Sequence, residues 1–276
     1  MLDSPHNKVF RRPTIQREFP MIRYPLVLAA SLIASLSLAA TCVLAASAPA
    51  NITAAVADGN RPDTDSARDA NRKPADTLAF LGVKPGEKIG ELIPGGGYFT
   101  RLFSKAAGPK GHVYALVPER PANAPADMPD LAARVKAIAA DPNYSNVSVV
   151  VAPLSTLAAP EPVDLVFTAQ NYHDLHNFPV DVVAFNKSLF NSLKPGGLYV
   201  VLDHSAEAGS GLRDTNTLHR IDADVVKQEV TAAGFQFVGK SDILANSADT
   251  RTGKVFDPAI RGKTDQFILK FRKPKK

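Results

Sequence analysis

The sequence predicts an α/β fold, a mostly parallel sheet covered by helices on both faces. Three observations carry this expectation. Five short apolar runs, at residues 88–93, 112–117, 147–151, 164–168 and 198–203, recur after residue 73. Helical stretches at 98–107, 130–140, 180–193 and 222–233 alternate with them. Strand and crossover in alternation is the pattern of a parallel sheet with buried faces. The end of the chain differs: 235–244 and 266–272 are strand-like with no helix between them. Those two runs are expected to pair antiparallel at one sheet edge.

In chain order, residues 26–48 form 23 positions without a charge, preceded by Arg23 and ending in Ala46-Ser47-Ala48 before Pro49. A basic flank, an apolar segment and small residues at its end have the layout of an export signal. Residues 1–48 are therefore expected to be removed, with Met21 as an alternative start. Twelve of the 23 are Ala or Ser, which favours cleavage over a retained anchor. A lipoprotein box around Cys42 is a further alternative, poorly matched by Thr41. Cys42 is the only cysteine, so a cleaved chain has no disulfide, thiolate or cysteine-based metal site. The expected location is periplasmic or secreted.

Residues 49–72 are rich in Ala, Asp, Asn and Arg and read as a polar linker. The domain then spans 73–276. A short helix ends at Leu81, and Gly82-Val83-Lys84-Pro85-Gly86 makes a turn.

Two turns carry chemistry. Ile89-Gly90-Glu91-Leu92-Ile93-Pro94-Gly95-Gly96-Gly97-Tyr98 is a strand, a glycine turn and a helix start. Glycine there lets backbone approach a ligand, and a helix N-terminus favours polar or anionic groups. Leu193-Lys194-Pro195-Gly196-Gly197 closes a helix before a strand that ends in Asp203-His204. Between them, Asp164-Leu165-Val166-Phe167 runs into the polar cluster Asn171-Tyr172-His173-Asp174. All three strand ends fall at one sheet edge, where ligands bind in open α/β sheets.

This order of motifs resembles the class I S-adenosylmethionine-dependent methyltransferases. More narrowly, it is similar to a group of exported bacterial methyltransferases. The narrower likeness runs from about residue 65 to the C-terminus. It includes Leu218-His219-Arg220-Ile221-Asp222 and the stretch from Val255 to Asp265. The resemblance implies a Rossmann-like three-layer sandwich with a seven-stranded sheet and an antiparallel last strand. It implies S-adenosyl-L-methionine as cofactor, held by Glu91, Pro94, Gly95, Gly96 and Gly97, with Asn171 and Tyr172 towards the transferred methyl. Two positions depart from the pattern. Ile93 stands where the class has the first loop glycine. Val117 stands where it has the acid that grips the ribose hydroxyls, and Glu119 is the expected substitute.

Methyl transfer needs the acceptor held in line, and a base only when the acceptor is protonated. His173, Asp203 and His204 are the candidate catalytic residues, with His173 the candidate base. The same groups allow two other readings. His173, His176 and His204 with Asp203 offer donors to a divalent metal, although no metal is expected. The fold also supports a non-catalytic ligand-binding protein.

Charge narrows the partners. The chain carries +5, but residues 1–24 hold five bases and two acids, and residues 261–276 hold seven bases and one acid. The body between them is acidic. A nucleic-acid groove is not expected, and the partner is a small-molecule substrate. Stable membrane insertion is not expected after cleavage. The basic C-terminus reads as a frayed, solvated tail, with weak contact to anionic lipid as the alternative.

Overall fold

The computed structural model describes residues 48–120, 124–125, 127 and 129–275. The expected export signal and Cys42 lie outside the described residues, apart from Ala48. Among the described residues, no helix is long and apolar enough to cross a membrane.

The strands are β1 (Lys88–Leu92), β2 (His112–Pro118), β3 (Val147–Ala152), β4 (Val163–Ala169), β5 (Leu193–His204), β6 (Gln236–Ser241) and β7 (Gln266–Arg272). They form one seven-stranded sheet in the order β3-β2-β1-β4-β5-β7-β6. β1 pairs parallel with β2 and β4, and β4 with β5. β7 inserts antiparallel between β5 and β6. Helices precede and link the strands: α1 (Ala50–Val56), α2 (Asp63–Ser66), α3 (Asp69–Arg72), α4 (Pro74–Leu81), α5 (Tyr98–Ala107), α6 (Ala133–Ala139), α7 (Val182–Ser192) and α8 (Ala223–Ala232). Two apolar clusters sit on opposite faces of the sheet. One gathers residues of α1, α4, α5 and α6; the other gathers residues of α7 and α8. This is the expected sandwich.

α5 shows why the local signals were readable. Gly97 and Gly108 flank it, both at positive φ. Eight of its ten residues are buried, because α1 covers the face turned away from the sheet. The turn before β2 also depends on glycine. A Cβ on Gly111 would sit 2.7 Å from the Glu87 carbonyl oxygen and 2.8 Å from that of Ala107. Neither backbone atom can yield, so Gly111→Ala is expected to cost about 2–3 kcal/mol of stability, of the size seen for overpacking. A urea midpoint equal to that of the parent would contradict this.

Two expectations about the ends of the domain need correction. Residues 49–72 are not a linker. Ile52 and Ala55 are fully buried, and Asn51 Nδ2 donates to the carbonyls of Val83 and Ala106 at 3.2 and 3.1 Å. The segment is anchored by polar bonds more than by apolar periodicity. Arg61 makes a bidentate pair with Asp69, whose Oδ1 also accepts from Tyr98 Oη at 2.6 Å. The C-terminal tail is likewise not frayed as far as it is described. Lys273 Nζ donates to the Leu193 carbonyl at 2.6 Å, and Lys270 Nζ to that of Phe80.

β5 also starts earlier than the sequence suggests. Leu193 already pairs with Val163, and the Pro195-Gly196-Gly197 turn becomes a bulge before Leu198 pairs with Leu165. A Cβ on Gly197 would lie 2.9 Å from the Lys194 carbonyl oxygen, so only glycine passes there.

Candidate functional site

The strand order reverses between β1 and β4, and a cleft opens at their carboxyl ends. Such switch points are where open α/β sheets bind ligands. The cleft has a volume of about 170 Å³. Glu91, Ile93, Pro94, Gly95 and Gly96 line it from β1 and its turn, and Gln170 and Asn171 from the end of β4. Arg68 and Arg72 close it from the N-terminal helices. A second cleft, of about 380 Å³, shares Arg68, Arg72 and Gln170 with the first and adds His204 and Phe256.

The glycine turn has the geometry the sequence suggests. Gly95 and Gly97 have φ of 57° and 76°, and nothing stands within 4 Å of a Cβ placed on Gly95. Gly97 instead packs on the protein: a Cβ there would overlap Ile138 at 2.1 Å. Ile93, at the position of the missing glycine, has φ of 49°. A β-branched residue is strained in that region. Asn171 holds the turn in place, donating through Nδ2 to the Ile93 carbonyl at 3.0 Å and that of Ala169 at 2.6 Å. The strained backbone therefore sits where the ends of β1 and β4 are tied together.

Glu91 is buried at the floor of the cleft. Burial pushes its carboxyl up to about 8, against the opposing effects of the Thr100 hydroxyl, Arg72 and Arg101. It is protonated at neutral pH when the cleft is empty. The folded chain holds this proton more tightly than the unfolded chain, whose ordinary value is 4.5. The contribution to stability is complete below pH 4.5, is lost as pH rises to about 8, and is level above. Glu91→Gln removes this dependence. Its stability relative to the parent is expected to rise by up to a few kcal/mol between pH 5 and pH 8, at about 1.4 kcal/mol per pKa unit. Parallel urea midpoints at the two pH values would contradict it.

The cleft holds two cations: Arg68, which pairs with Asp65 at 2.5 Å, and Arg72. The Arg72 guanidinium lies 4.7 Å from the Tyr98 ring centre and 5.7 Å from that of Phe99, and donates to Gln170 Oε1 at 3.1 Å. Among the described residues, no carboxylate is within ion-pair distance of it. Burial lowers its pKa, and neighbouring Arg68 adds to the effect. Sequence reasoning missed Arg68 and Arg72 because they lie in the segment read as a linker. Their signal was the arginine spacing at 68 and 72, one helical turn apart.

Other expected residues fall elsewhere. Glu119 is exposed, beyond the end of β2, and does not line the cleft. Tyr172 is buried, with its hydroxyl donating to Glu229 Oε2 at 2.9 Å and accepting from Asn186 Nδ2 at 2.7 Å. It braces α7 and α8 and does not line the cleft. His176 also bonds Glu229, at 3.2 Å, so it does not join the other histidines.

Asp203 is fully buried under the turn after β4. Its Oδ2 accepts from the His173 amide at 2.8 Å, and its Oδ1 lies 2.9 Å from His173 Nδ1. Asp203 therefore positions His173 and touches neither cleft. Burial opposes charge on His173, but Asp203 and Asp174 outweigh it and push the imidazole up to about 10. A base must be unprotonated at working pH, so a proton held this firmly disfavours His173 as the acceptor expected from sequence. His204 is the opposite case. Burial pushes it down to about 4 despite Asp203. It stays neutral, with Nδ1 2.8 Å from Thr264 Oγ1, and lines the second cleft.

No family model matches the sequence, and no curated protein matches it. Solved structures do. A methyltransferase dependent on S-adenosylmethionine from Aquifex aeolicus is 19% identical, with a TM-score of 0.51 over 71% of this chain and 87% of its own. An S-adenosylmethionine-dependent methyltransferase from Mesorhizobium loti is 15% identical, with a TM-score of 0.51 over 74% and 99%. The fold is that of the class I methyltransferases. The class I fold is also that of a (4+2)-cyclase, which is 18% identical with a TM-score of 0.53 over 79% of this chain and 84% of its own. At these identities the likeness establishes the class I architecture, while the chemistry rests on the two clefts.

Proposed function

We propose that the chain is an S-adenosylmethionine-dependent methyltransferase acting on a small acceptor. The observation that carries this is the pairing, in one switch-point cleft, of a half-buried guanidinium that has no carboxylate partner with a protonated buried carboxyl. The donor's amino-acid end presents a carboxylate and an ammonium. Arg72 suits the carboxylate, since a half-buried cation without an ion-pair partner gains most from an anion. Glu91 suits the ammonium, which favours the charged form of a group that burial keeps neutral. The open backbone at Gly95 allows close approach to the rest of the molecule. Bound there, the cofactor supplies a methyl group on a sulfonium.

The second cleft is the acceptor site in this reading. It joins the first at Arg72 and Gln170, and Gln170 is held at φ of 62° at the junction. The contribution of the chain is to hold the acceptor in line and exclude water. Neutral His204 is a hydrogen-bond partner for an acceptor hydroxyl or amine. Its low pKa makes it a weak base, so the reading favours acceptors that are nucleophilic without losing a proton first. Action outside the cytoplasm is part of the proposal and rests on the sequence of the first 48 residues alone.

A second reading is a ligand-binding protein on the same fold. It is favoured by the absence of an acid from the described cleft lining near the end of β2, where the class grips ribose. Incubating the full chain with methyl-labelled S-adenosylmethionine and a small-molecule extract separates the two. Label moving into a small molecule, and lost with Arg72→Ala, supports transfer. Binding of the donor with no label moved from any extract supports the binding protein and overturns the enzyme.

A further inference from the structure

The turn after β4 and the loop after β5 meet at three side chains that the methyl-transfer reading does not use together. We propose that His173, Asp174 and His219 bind a divalent transition-metal ion of the Zn²⁺ class. One ligand atom from each lies within 4.8 Å of the other two. His173 Nε2 is 3.3 Å from Asp174 Oδ1, and His219 Nδ1 is 3.6 Å from the same oxygen. Ligands at about 2.0–2.1 Å in a tetrahedron stand about 3.3–3.4 Å apart, so these separations need little closure.

The independent observation is the state of His173. Its side chain is only 3% exposed. Its Nε2 is buried and has no hydrogen-bond partner, because the nearby Asp174 oxygen is not aligned to accept. Buried polar nitrogens are nearly always satisfied, and this one points into the cluster. On the other side of the ring, Asp203 Oδ1 takes Nδ1 at 2.9 Å. A carboxylate behind an imidazole is how metal-ligating histidines are oriented, with the opposite nitrogen left for the ion. A ligating imidazole is neutral, so the ion displaces the Nε2 proton of His173 to solvent, and Asp174 and Asp203 lie beside the dication.

His219 is held for the task by its neighbours. Its φ is 56°, a region few non-glycine residues occupy. The next residue, Arg220, is fully buried and bonds Asp249 bidentately at 2.8 and 3.1 Å, which fixes the loop. Phe256 packs edge-on against the His219 ring at 4.8 Å and also lines the second cleft. Two imidazoles and one carboxylate suit Zn²⁺, Co²⁺ or Ni²⁺ rather than Mg²⁺ or Ca²⁺. The side chains of His219 and Asp174 are 28% and 32% exposed, so a fourth position opens to solvent. Three protein ligands with one open position is the donor count of a reactive site, not of a closed structural one.

The test uses the full untagged chain, stripped with chelator and titrated with Zn²⁺ against a coloured competitor. One ion per chain is expected. His219→Ala and Asp174→Asn are each expected to weaken binding by at least about tenfold, and His176→Ala to leave it unchanged. His219→Gly relaxes the left-handed backbone and replaces His219→Ala should that variant misfold. Co²⁺ is expected to give visible d–d bands that the His219 variants lose. The proposal is overturned if the folded chain takes up no stoichiometric Zn²⁺, if uptake survives loss of His219, or if Mg²⁺ binds in preference.

Discussion

Arg220→Ala is expected to lower the unfolding free energy by about 3–5 kcal/mol, the range for breaking a buried ion pair from one side. Arg220 and Asp249 have side-chain exposures of 0% and 2%. The guanidinium also donates to the carbonyls of Gly253 and Ser205, each at 3.0 Å. Removing it strands a carboxylate and two carbonyls. Burial alone would raise the Asp249 carboxyl, but Arg220 and the amides of Asp265 and Arg251 hold it below the usual carboxylate range. In the variant this carboxyl stays buried with the two amides but without its cation. Replacing both partners with apolar residues of similar size is expected to recover most of the loss. Urea unfolding of the two single variants and the double variant measures the coupling. Additive losses would show that the pair does not act as a unit. A stability for Arg220→Ala within 1 kcal/mol of the parent would be well below the expected range. The consequence extends to the site, since this pair ties the loop bearing His219 to the one bearing Phe256.

Arg72→Ala is expected to weaken S-adenosylmethionine binding by about 10–100-fold, the worth of a charge-assisted bond in a site shielded from water. The same change is expected to cost little stability. Arg72 pairs with no described carboxylate, and its folded-state contacts are the rings of Tyr98 and Phe99 and one amide oxygen. Arg72→Lys keeps the charge and loses the planar fork, so an intermediate affinity is expected. Calorimetric titration of the three proteins decides the matter. Equal affinities for parent and Arg72→Ala would remove Arg72 from the binding site.

The sheet was legible because each strand is a short apolar run bounded by turn residues. α5 was legible to the residue because glycines flank it. The antiparallel β6–β7 pair was legible because no crossover helix separates the two runs. Of the N-terminal helices, α4 was legible; α2 and α3 were not, because they have four residues each and are fixed by contacts distant in sequence, such as Arg101 to Asp65 at 2.9 Å. A local pattern carries no trace of such contacts. The site was legible in its glycine turn and in Glu91, where backbone need and residue type coincide. It was not legible in its protonation. His173 sits beside Asp174 in sequence, but its charge also depends on Asp203, 30 positions away. The left-handed backbone at Ile93, Gln170 and His219 was also invisible, since none of these residues signals it.

The central claim is that the cleft between β1 and β4 binds S-adenosylmethionine. Calorimetry of the full chain with that ligand at pH 7 tests it most directly. One site per chain is expected, with proton release on binding as the Glu91 carboxyl ionises beside the ligand ammonium, read from the dependence of the heat on buffer. A folded chain that gives no heat with the ligand at millimolar concentration contradicts the account.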